Sequence, residues 1–154
     1  MSTAAVTELE STRKFFLTTI GVLNADDEAF APHAHMYTTA SHVAHVAITV
    51  DWFMAGAFGA GWDQEYDVHI AQAKAVTSLD TARAMLDTAF ENAIATLGTM
   101  NDADLDQPIP NDTVMGGAPK RAVISGIVDH TAHHRGSLAV YARLCGKVPT
   151  MPYA

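Results

Sequence analysis

Hydrophobic side chains recur every three or four residues along most of the chain, which is the spacing of one face of an α-helix. The first stripe predicts a helix over residues 3–23, and the second predicts one that begins within 35–39 and ends near Phe58. The third predicts a helix with Ser78 as N-cap and Gly98 as its end, where we expect the positive φ that glycine tolerates. The pattern therefore predicts long amphipathic helices.

A fourth stripe predicts the last helix, with Pro119 in its first turn and Gly146 just past its end, because proline suits helix starts and glycine suits helix ends. The connector 59–77 is predicted to hold a short helix around 67–75. The connector 101–118 contains prolines and a glycine pair, so it is not helical throughout. Connectors of such length are typical of crossovers or of loops beside a site.

These elements predict an all-α fold, a four-helix bundle with long crossover connections. At 154 residues, a single domain over 1–154 is expected, with a core that needs no disulfide. The only cysteine, Cys145, excludes an intramolecular disulfide. No secretory signal or bilayer-spanning stretch is recognisable, so a cytoplasmic protein without membrane partners is expected. The net charge of −8 argues against nucleic acid, whose phosphates need basic partners.

Histidines interrupt the apolar stripes of the second and last predicted helices. His130, His133 and His134 lie in one such stretch, and His42 and His45 lie in the other. Side chains four residues apart project from nearly the same face, so two histidines at that spacing can bind one ion, with a third from elsewhere. Burying several imidazoles without partners is costly. The cluster is therefore interpreted as coordinated or hydrogen-bonded; the alternative is a set of separate core or boundary histidines.

Several strings in the chain resemble a known family. The run H-T-A-H-H-R-G-S-L over 130–138, followed by L-C-G-K-V-P-T-M-P-Y over 144–153, resembles the C-terminal motif of the DinB superfamily. Residues 41–53, where Asp-Trp-Phe follows His45, and the Gly-Gly-Ala-Pro run over 116–119 are similar to it as well. Members of that family are four-helix bundles in which a histidine triad holds a divalent metal. One ligand comes from the second helix and an H-x-x-x-H pair comes from the last.

The resemblance implies that His45, His130 and His134 are the metal ligands. Zinc or nickel is the expected ion, since imidazole nitrogen suits these borderline metals. His42 stays open as the ligand from the second helix, because it lies close to His45 on the same helix. His133 is predicted to be a catalytic proton-transfer group or a neighbour that supports the ligands, although its spacing from His130 also leaves ligation geometrically open.

The resemblance also implies an enzyme of the thiol S-transferase type, in which the metal activates a low-molecular-weight thiol as cosubstrate for a small-molecule substrate. A hydrolase that uses a metal-bound water is the alternative within enzymes, because a metal lowers the pKa of whatever binds it. A non-catalytic bundle that binds a metal or ligand is the third possibility. Asp63, Glu65 and Asp67 would serve a hydrolase if their loop covers the site. The connectors 59–77 and 101–118 are expected to form the rims of a cleft.

A homodimer is expected from the resemblance and from the wide apolar face of the first helix, which carries Phe15, Phe16 and Ile20. Gly136 lies inside the last predicted helix, where glycine costs about 1 kcal/mol relative to alanine. We therefore expect a neighbouring helix or a ligand to approach its backbone. His69 is isolated in the connector 59–77 and is expected to be a polar surface residue.

Overall fold

The computed structural model describes residues 3–110 and 113–153, and that part of the chain is all-helical. In chain order the helices are α1 (Thr3–Ile20), α2 (Thr39–Phe58), α3 (Tyr66–Ala75), α4 (Leu79–Gly98), α5 (Asp102–Leu105) and α6 (Ala122–Leu144). A 3-10 turn, Ala25–Asp27, lies between α1 and α2. None of the described helices has both the length and the apolar composition needed to cross a bilayer.

The four long helices form the predicted bundle. Both α1 and α2 pack against α4 and α6, so α1 and α2 occupy opposite corners. The connection from α1 to α2 therefore crosses the bundle, which explains its length. The short helix α3 packs on α2. Fully buried apolar side chains fill the space between the long helices, among them Leu9, Phe16, Val43, Val46, Leu86, Phe90, Ile127 and Leu138.

Most helix boundaries agree with the hydrophobic pattern, and the differences lie at the ends. The helix predicted over 3–23 ends at Ile20. Gly98 is the last residue of α4 as predicted, but it lacks the expected positive φ, and Thr99 in a right-handed helical conformation caps the helix. Gly146, just past α6, has a φ of 76°, so the prediction of a glycine C-terminal signal is confirmed there.

The prediction that Pro119 lies in the first turn of the last helix is wrong. Pro119 instead forms an isolated antiparallel bridge with Pro108, and the N–H of Lys120 donates to the carbonyl of Gln107 at 2.9 Å. The bridge uses the N–H of Lys120, while the carbonyl of Pro119 accepts from the N–H of Ala122 at 2.8 Å, and α6 begins at Ala122. A pairing between two parts of one connector leaves no trace in the three- and four-residue spacing of a helix pattern.

The second helix is enclosed along most of its first half. Nearly every residue over 39–47 is buried, because α4, α6 and α3 all pack on this helix. Thr38 caps its start, where the threonine side chain accepts a hydrogen bond from the N–H of Ser41 at 3.2 Å. The few histidines on this stretch are therefore held in fixed positions relative to α6.

The loop after α2 is fixed against that helix by two tryptophans. The ring of Trp62 packs directly on Gly56, where an added Cβ would lie 2.2 Å from the ring. The indole N–H of Trp52 donates to the carbonyl of Asp63 at 2.7 Å. These contacts fix the start of α3 beside the face of α2 that carries His45.

Candidate metal centre

Three histidines from neighbouring helices meet within the bundle. His45 lies on α2, and His130 and His134 lie one turn apart on α6. One ring nitrogen of each lies within 4.8 Å of the other two. The Nε2 atoms of His130 and His134 are 3.0 Å apart, and two nitrogens bound about 2.1 Å from one ion are about 3.0–3.4 Å apart. These residues, here called the histidine triad, can hold a divalent metal ion.

The triad is half-buried, and burial is the main cause of a lowered pKa at each imidazole. The pKa of His130 falls to about 4 and that of His134 to about 2, with repulsion from neighbouring histidines adding to the effect of burial. Burial also lowers the pKa of His45. Imidazole binds a metal in its neutral form, so the triad is ready to bind near neutral pH. The set of three imidazole donors fits a borderline metal.

His42 lies beside the triad rather than in it. Its side chain is buried, and its Nε2 lies 2.7 Å from Nδ1 of His134. This hydrogen bond engages Nδ1 of His134, whose Nε2 lies against His130. Histidine ligands commonly have their second nitrogen bonded to a group that fixes the ring and its tautomer. The three nitrogens close enough to share one ion thus come from His45, His130 and His134, while His42 contacts Nδ1 of His134; the ligand assignment itself stays a prediction.

Aromatic rings surround the triad. Tyr37 stacks on His45 with ring centres 5.0 Å apart and planes 21° apart. The ring of Phe53 meets His130 edge to face at 6.4 Å. The hydroxyl of Tyr141 donates to the backbone carbonyl of Tyr37 at 3.0 Å, which joins the segment before α2 to α6. The rings restrict the imidazoles and keep water from part of their surface.

A cavity of about 310 Å³ opens beside His45 and His130. We call it the aromatic cavity, because aromatic and aliphatic side chains make up most of its wall. The wall residues are Tyr37, His45, Ile48, Thr49, Trp52, Tyr66, His69, Ile70 and His130. A small molecule in this space would contact two members of the triad directly.

The expectation that His69 is an isolated surface residue is wrong. It lies on α3, in the wall of the aromatic cavity, and its Nε2 is 2.8 Å from the carboxylate of Asp63. The backbone N–H of Glu65 also donates to that carboxylate at 2.6 Å, and these two bonds lower the pKa of Asp63. Asp63, Glu65 and Asp67 do not line the cavity themselves, so the loop brings a carboxylate towards it only through His69.

A second cavity, of about 400 Å³, shares Tyr37 and Ile70 with the first. Its wall residues are His35, Met36, Tyr37, His42, Ile70, Lys74, His133, His134, Ser137 and Tyr141. We call it the basic cavity, because this wall includes a lysine and several histidines but no aspartate or glutamate. The two cavities meet the triad at different members, the aromatic cavity at His45 and His130 and the basic cavity at His134.

His133, the predicted catalytic residue, is exposed and lines the basic cavity. Its ring centre lies 4.8 Å from that of His134, so it stands next to the triad without belonging to it. Its role in proton transfer stays a prediction. Gly136, one turn further along α6, has nothing within 4 Å of the position of an added Cβ, and the expectation of a close approach there is wrong.

One of the two expected rims is present. The connector 59–77 supplies Tyr66, His69, Ile70 and Lys74 to the cavities, whereas none of the described residues of 101–118 lines either one. The bridge to Pro108 holds that second connector at the start of α6, about two turns before His130. Residues 35–37, which precede α2, form the other rim.

Comparisons with known proteins agree with this fold. A family model described as the DinB superfamily matches residues 8–138, a span that includes the whole triad. A solved structure of a DinB-like protein from Bacillus cereus is similar, with a TM-score of 0.66 and 24% identity over 94% of this chain and 89% of that one. Curated proteins give no significant match. Because the family model covers most of the sequence, the chain belongs to the DinB superfamily.

Proposed function

We propose that this protein is a metal-dependent transferase that activates a low-molecular-weight thiol for attack on a small electrophile. The observation that carries the proposal is that members of the triad line two neighbouring cavities, His45 and His130 in one and His134 in the other. A metal held only for structural reasons has no need of such access. The cavity volumes of about 310 and 400 Å³ suit small molecules rather than polymers.

His45, His130 and His134 would hold the ion, and His42 would fix the ring of His134 through the bond at 2.7 Å. A bound divalent ion lowers the pKa of a thiol or a water at its open position. In the transfer, a bond forms between the thiol sulfur and an electrophilic carbon, while the bond to the leaving group breaks with its electron pair. The thiol proton passes to a base, for which His133 is the predicted group in the basic cavity.

Hydrolysis is the second candidate, and the pair of His69 and Asp63 favours it. A carboxylate bonded to one imidazole nitrogen fixes the tautomer and leaves the other nitrogen as a base, an arrangement used to remove protons from water. Here Asp63 is bonded to Nε2 of His69, which lines the same cavity as His45 and His130. In a hydrolase, His69 would serve as the base that removes a proton from water, and no thiol would be needed.

The two candidates are separated by loading the protein with cobalt and titrating it with small thiols. Sulfur coordination produces charge-transfer absorption that oxygen ligands do not, so a transferase gives new bands that saturate. Adding an activated aryl halide should then yield the thioether, and His130→Ala should abolish both signals. His33→Ala, at an exposed histidine outside both cavities, is the matched control and should keep both.

Cleavage of model esters without any thiol-dependent band would replace the transferase by the hydrolase, and His69→Ala should then abolish that cleavage. If neither activity is seen in metal-loaded protein, the proposal of an enzyme fails, and a bundle that only binds a metal or a ligand is left.

A further inference from the structure

The basic cavity has an unusual wall for so acidic a chain. The sequence contains 17 aspartate and glutamate residues against 9 lysine and arginine residues, yet the wall of this cavity includes Lys74 and no acidic side chain. Opposite charges spread over the surface would normally place a carboxylate beside an exposed lysine. The wall of this cavity therefore has one cationic side chain and no carboxylate to neutralise it.

The ammonium group of Lys74 is not held by a carboxylate of the described residues. Lys74 lies exposed in the last turn of α3 and forms no ion pair with any carboxylate in the described part of the chain. By contrast, Lys147 pairs with Asp27 and Arg13 pairs with Asp87. The ammonium group of Lys74 is therefore available to a ligand.

Other donors line the same space. His35 and His133 are exposed in its wall, and an imidazole has at least one N–H in either protonation state. A carboxylate accepts several such bonds, and bonds with a charged partner are stronger than neutral ones. The wall thus offers one cation and two further donors for an anionic group.

The aromatic cavity has the opposite character. Its wall includes Ile48, Trp52 and Tyr66 and contains no lysine or arginine. Tyr37 and Ile70 belong to both walls, so the two chemically different spaces are neighbours that meet at the triad. A reaction between a polar and an apolar molecule at the triad would use both spaces at once.

We propose that the basic cavity binds the anionic end of a carboxylate-bearing thiol through Lys74, while the aromatic cavity takes an apolar electrophile. This inference rests on the proposed transferase function for the thiol, and it adds the charge of that thiol and the residue that selects it. Lys74 is a specificity residue here, because it would contact the carboxylate of the substrate and not the sulfur that reacts.

The test compares short thiols of opposite charge on the cobalt-loaded protein. Dissociation constants for 3-mercaptopropionate, 2-mercaptoethanol and cysteamine follow from the charge-transfer absorption. The anionic thiol should bind about fivefold or more tightly than the neutral one, the cationic thiol should bind most weakly, and added salt should reduce the differences. Lys74→Met should weaken only the anionic thiol, by about fivefold, and Lys74→Glu should reverse the order of the three.

Lys14→Met is the control, since Lys14 is an exposed lysine on α1 that lines neither cavity. This variant should change no dissociation constant by more than about twofold.

A second readout needs no metal or sulfur. Propionate added to metal-free protein should shift the NMR signals of His35 and His133 in the parent and not in Lys74→Met. Thiols that bind equally whatever their charge, or a Lys74→Met variant that weakens all three alike, overturn the inference and leave the transferase standing. Failure of every thiol to give a band counts against the transferase, and the propionate shifts still decide whether the cavity binds anions.

Discussion

Nε2 of His42 and Nδ1 of His134 are 2.7 Å apart, and this bond joins a buried histidine of α2 to a member of the triad on α6. Only one of the two nitrogens carries the shared proton. If Nε2 of His134 held the ion, Nδ1 of His134 would carry the proton and would donate it to Nε2 of His42. The neutral state of His42 that this requires is favoured by its environment, because burial and then repulsion from neighbouring histidines lower the pKa of His42 to about 4.

Replacing His42 should therefore weaken metal binding without removing the site. His42→Ala should lower the affinity for zinc about 10- to 100-fold, the usual cost of losing a group that orients a ligand, while one ion per chain still binds at saturation. His42→Gln, whose amide oxygen can accept the same N–H, should lose less. Competition with a chromophoric chelator measures both affinities, and His33→Ala serves as control. A His42→Ala protein that binds no zinc at saturation would show that His42 is itself a ligand.

Removal of any triad member should have the larger effect. His45→Ala, His130→Ala and His134→Ala each leave two imidazoles, so purified protein should contain far less than the one divalent ion per chain expected of the parent. Zinc or nickel is the ion expected by elemental mass spectrometry. His69→Ala should keep the full metal content, because His69 bonds to Asp63 and not to the triad. Equal metal loss in the His69 and His134 variants would contradict the assignment.

The helices and the shared face of His130 and His134 could be predicted from the residues alone, because both depend on local spacing. Apolar side chains every three or four residues specify the buried face of a helix wherever that helix packs. Two histidines four residues apart face the same way on any helix. The family resemblance then supplied the partner helix, which spacing alone does not identify.

The surroundings of the triad could not be predicted, because they depend on how separate elements pack. His69 reaches the aromatic cavity only because α3 lies on α2, and its bond to Asp63 spans a loop and a helix start. Tyr37 stacks on His45 from a segment with no regular structure. The wrong prediction for Pro119 has a similar origin, since its pairing with Pro108 lies outside the three- and four-residue spacing that a helix pattern contains.

The stability of the metal-free protein should fall as the pH is lowered from about 6.5 towards 4. The ordinary histidine pKa is 6.5, and the folded protein lowers it to about 4 for His42 and His130. Between these values the unfolded chain binds protons that the folded chain does not, so acid favours unfolding. Urea titrations at several pH values, with a chelator present, measure the effect.

The comparison that isolates the histidines is between the parent and His130→Asn. The difference in unfolding free energy between the two should shift in favour of the variant as the pH falls, because the variant has lost one buried group that resists protonation. His33→Gln, at an exposed position, should follow the parent at every pH. A parent-to-variant difference that is constant from pH 7 to 4 would contradict the prediction.

A homodimer stays a prediction, but the surface first expected to form it has to be revised. Phe16 and Ile20 are fully buried within the subunit, so their side chains cannot contact a partner subunit. Val140 and Leu144, one turn apart on α6, are 54% and 58% exposed and provide an apolar face near the end of that helix. Sedimentation should give about twice the 16.4 kDa chain mass, and Leu144→Glu should shift the protein towards monomer. A parent that sediments as a monomer at micromolar concentration contradicts the dimer.

Alanine substitutions at two helical glycines should change the stability in opposite directions. At Gly56 in α2, an added Cβ would lie 2.2 Å from the ring of the buried Trp62. The indole would have to move, and overpacking of this kind costs about 1–3 kcal/mol. At Gly136 in α6 there is nothing within 4 Å of an added Cβ. Alanine there should stabilise the protein by about 0.5–1 kcal/mol, because it removes the entropic cost of glycine in a helix.

Urea unfolding of the two variants beside the parent measures both changes, and the intrinsic fluorescence of Gly56→Ala should report the displaced Trp62. The displacement should also reach the aromatic cavity, since Trp62 packs on Trp52 with ring centres 4.7 Å apart, and Trp52 is both a wall residue and the donor to Asp63. Gly136→Ala leaves that packing untouched and is therefore the matched control for any loss of thiol or ester turnover in Gly56→Ala. Equal stability of the two variants would mean that the ring of Trp62 moves aside without lowering the free energy of unfolding. The contact with Gly56 would then not fix the loop after α2.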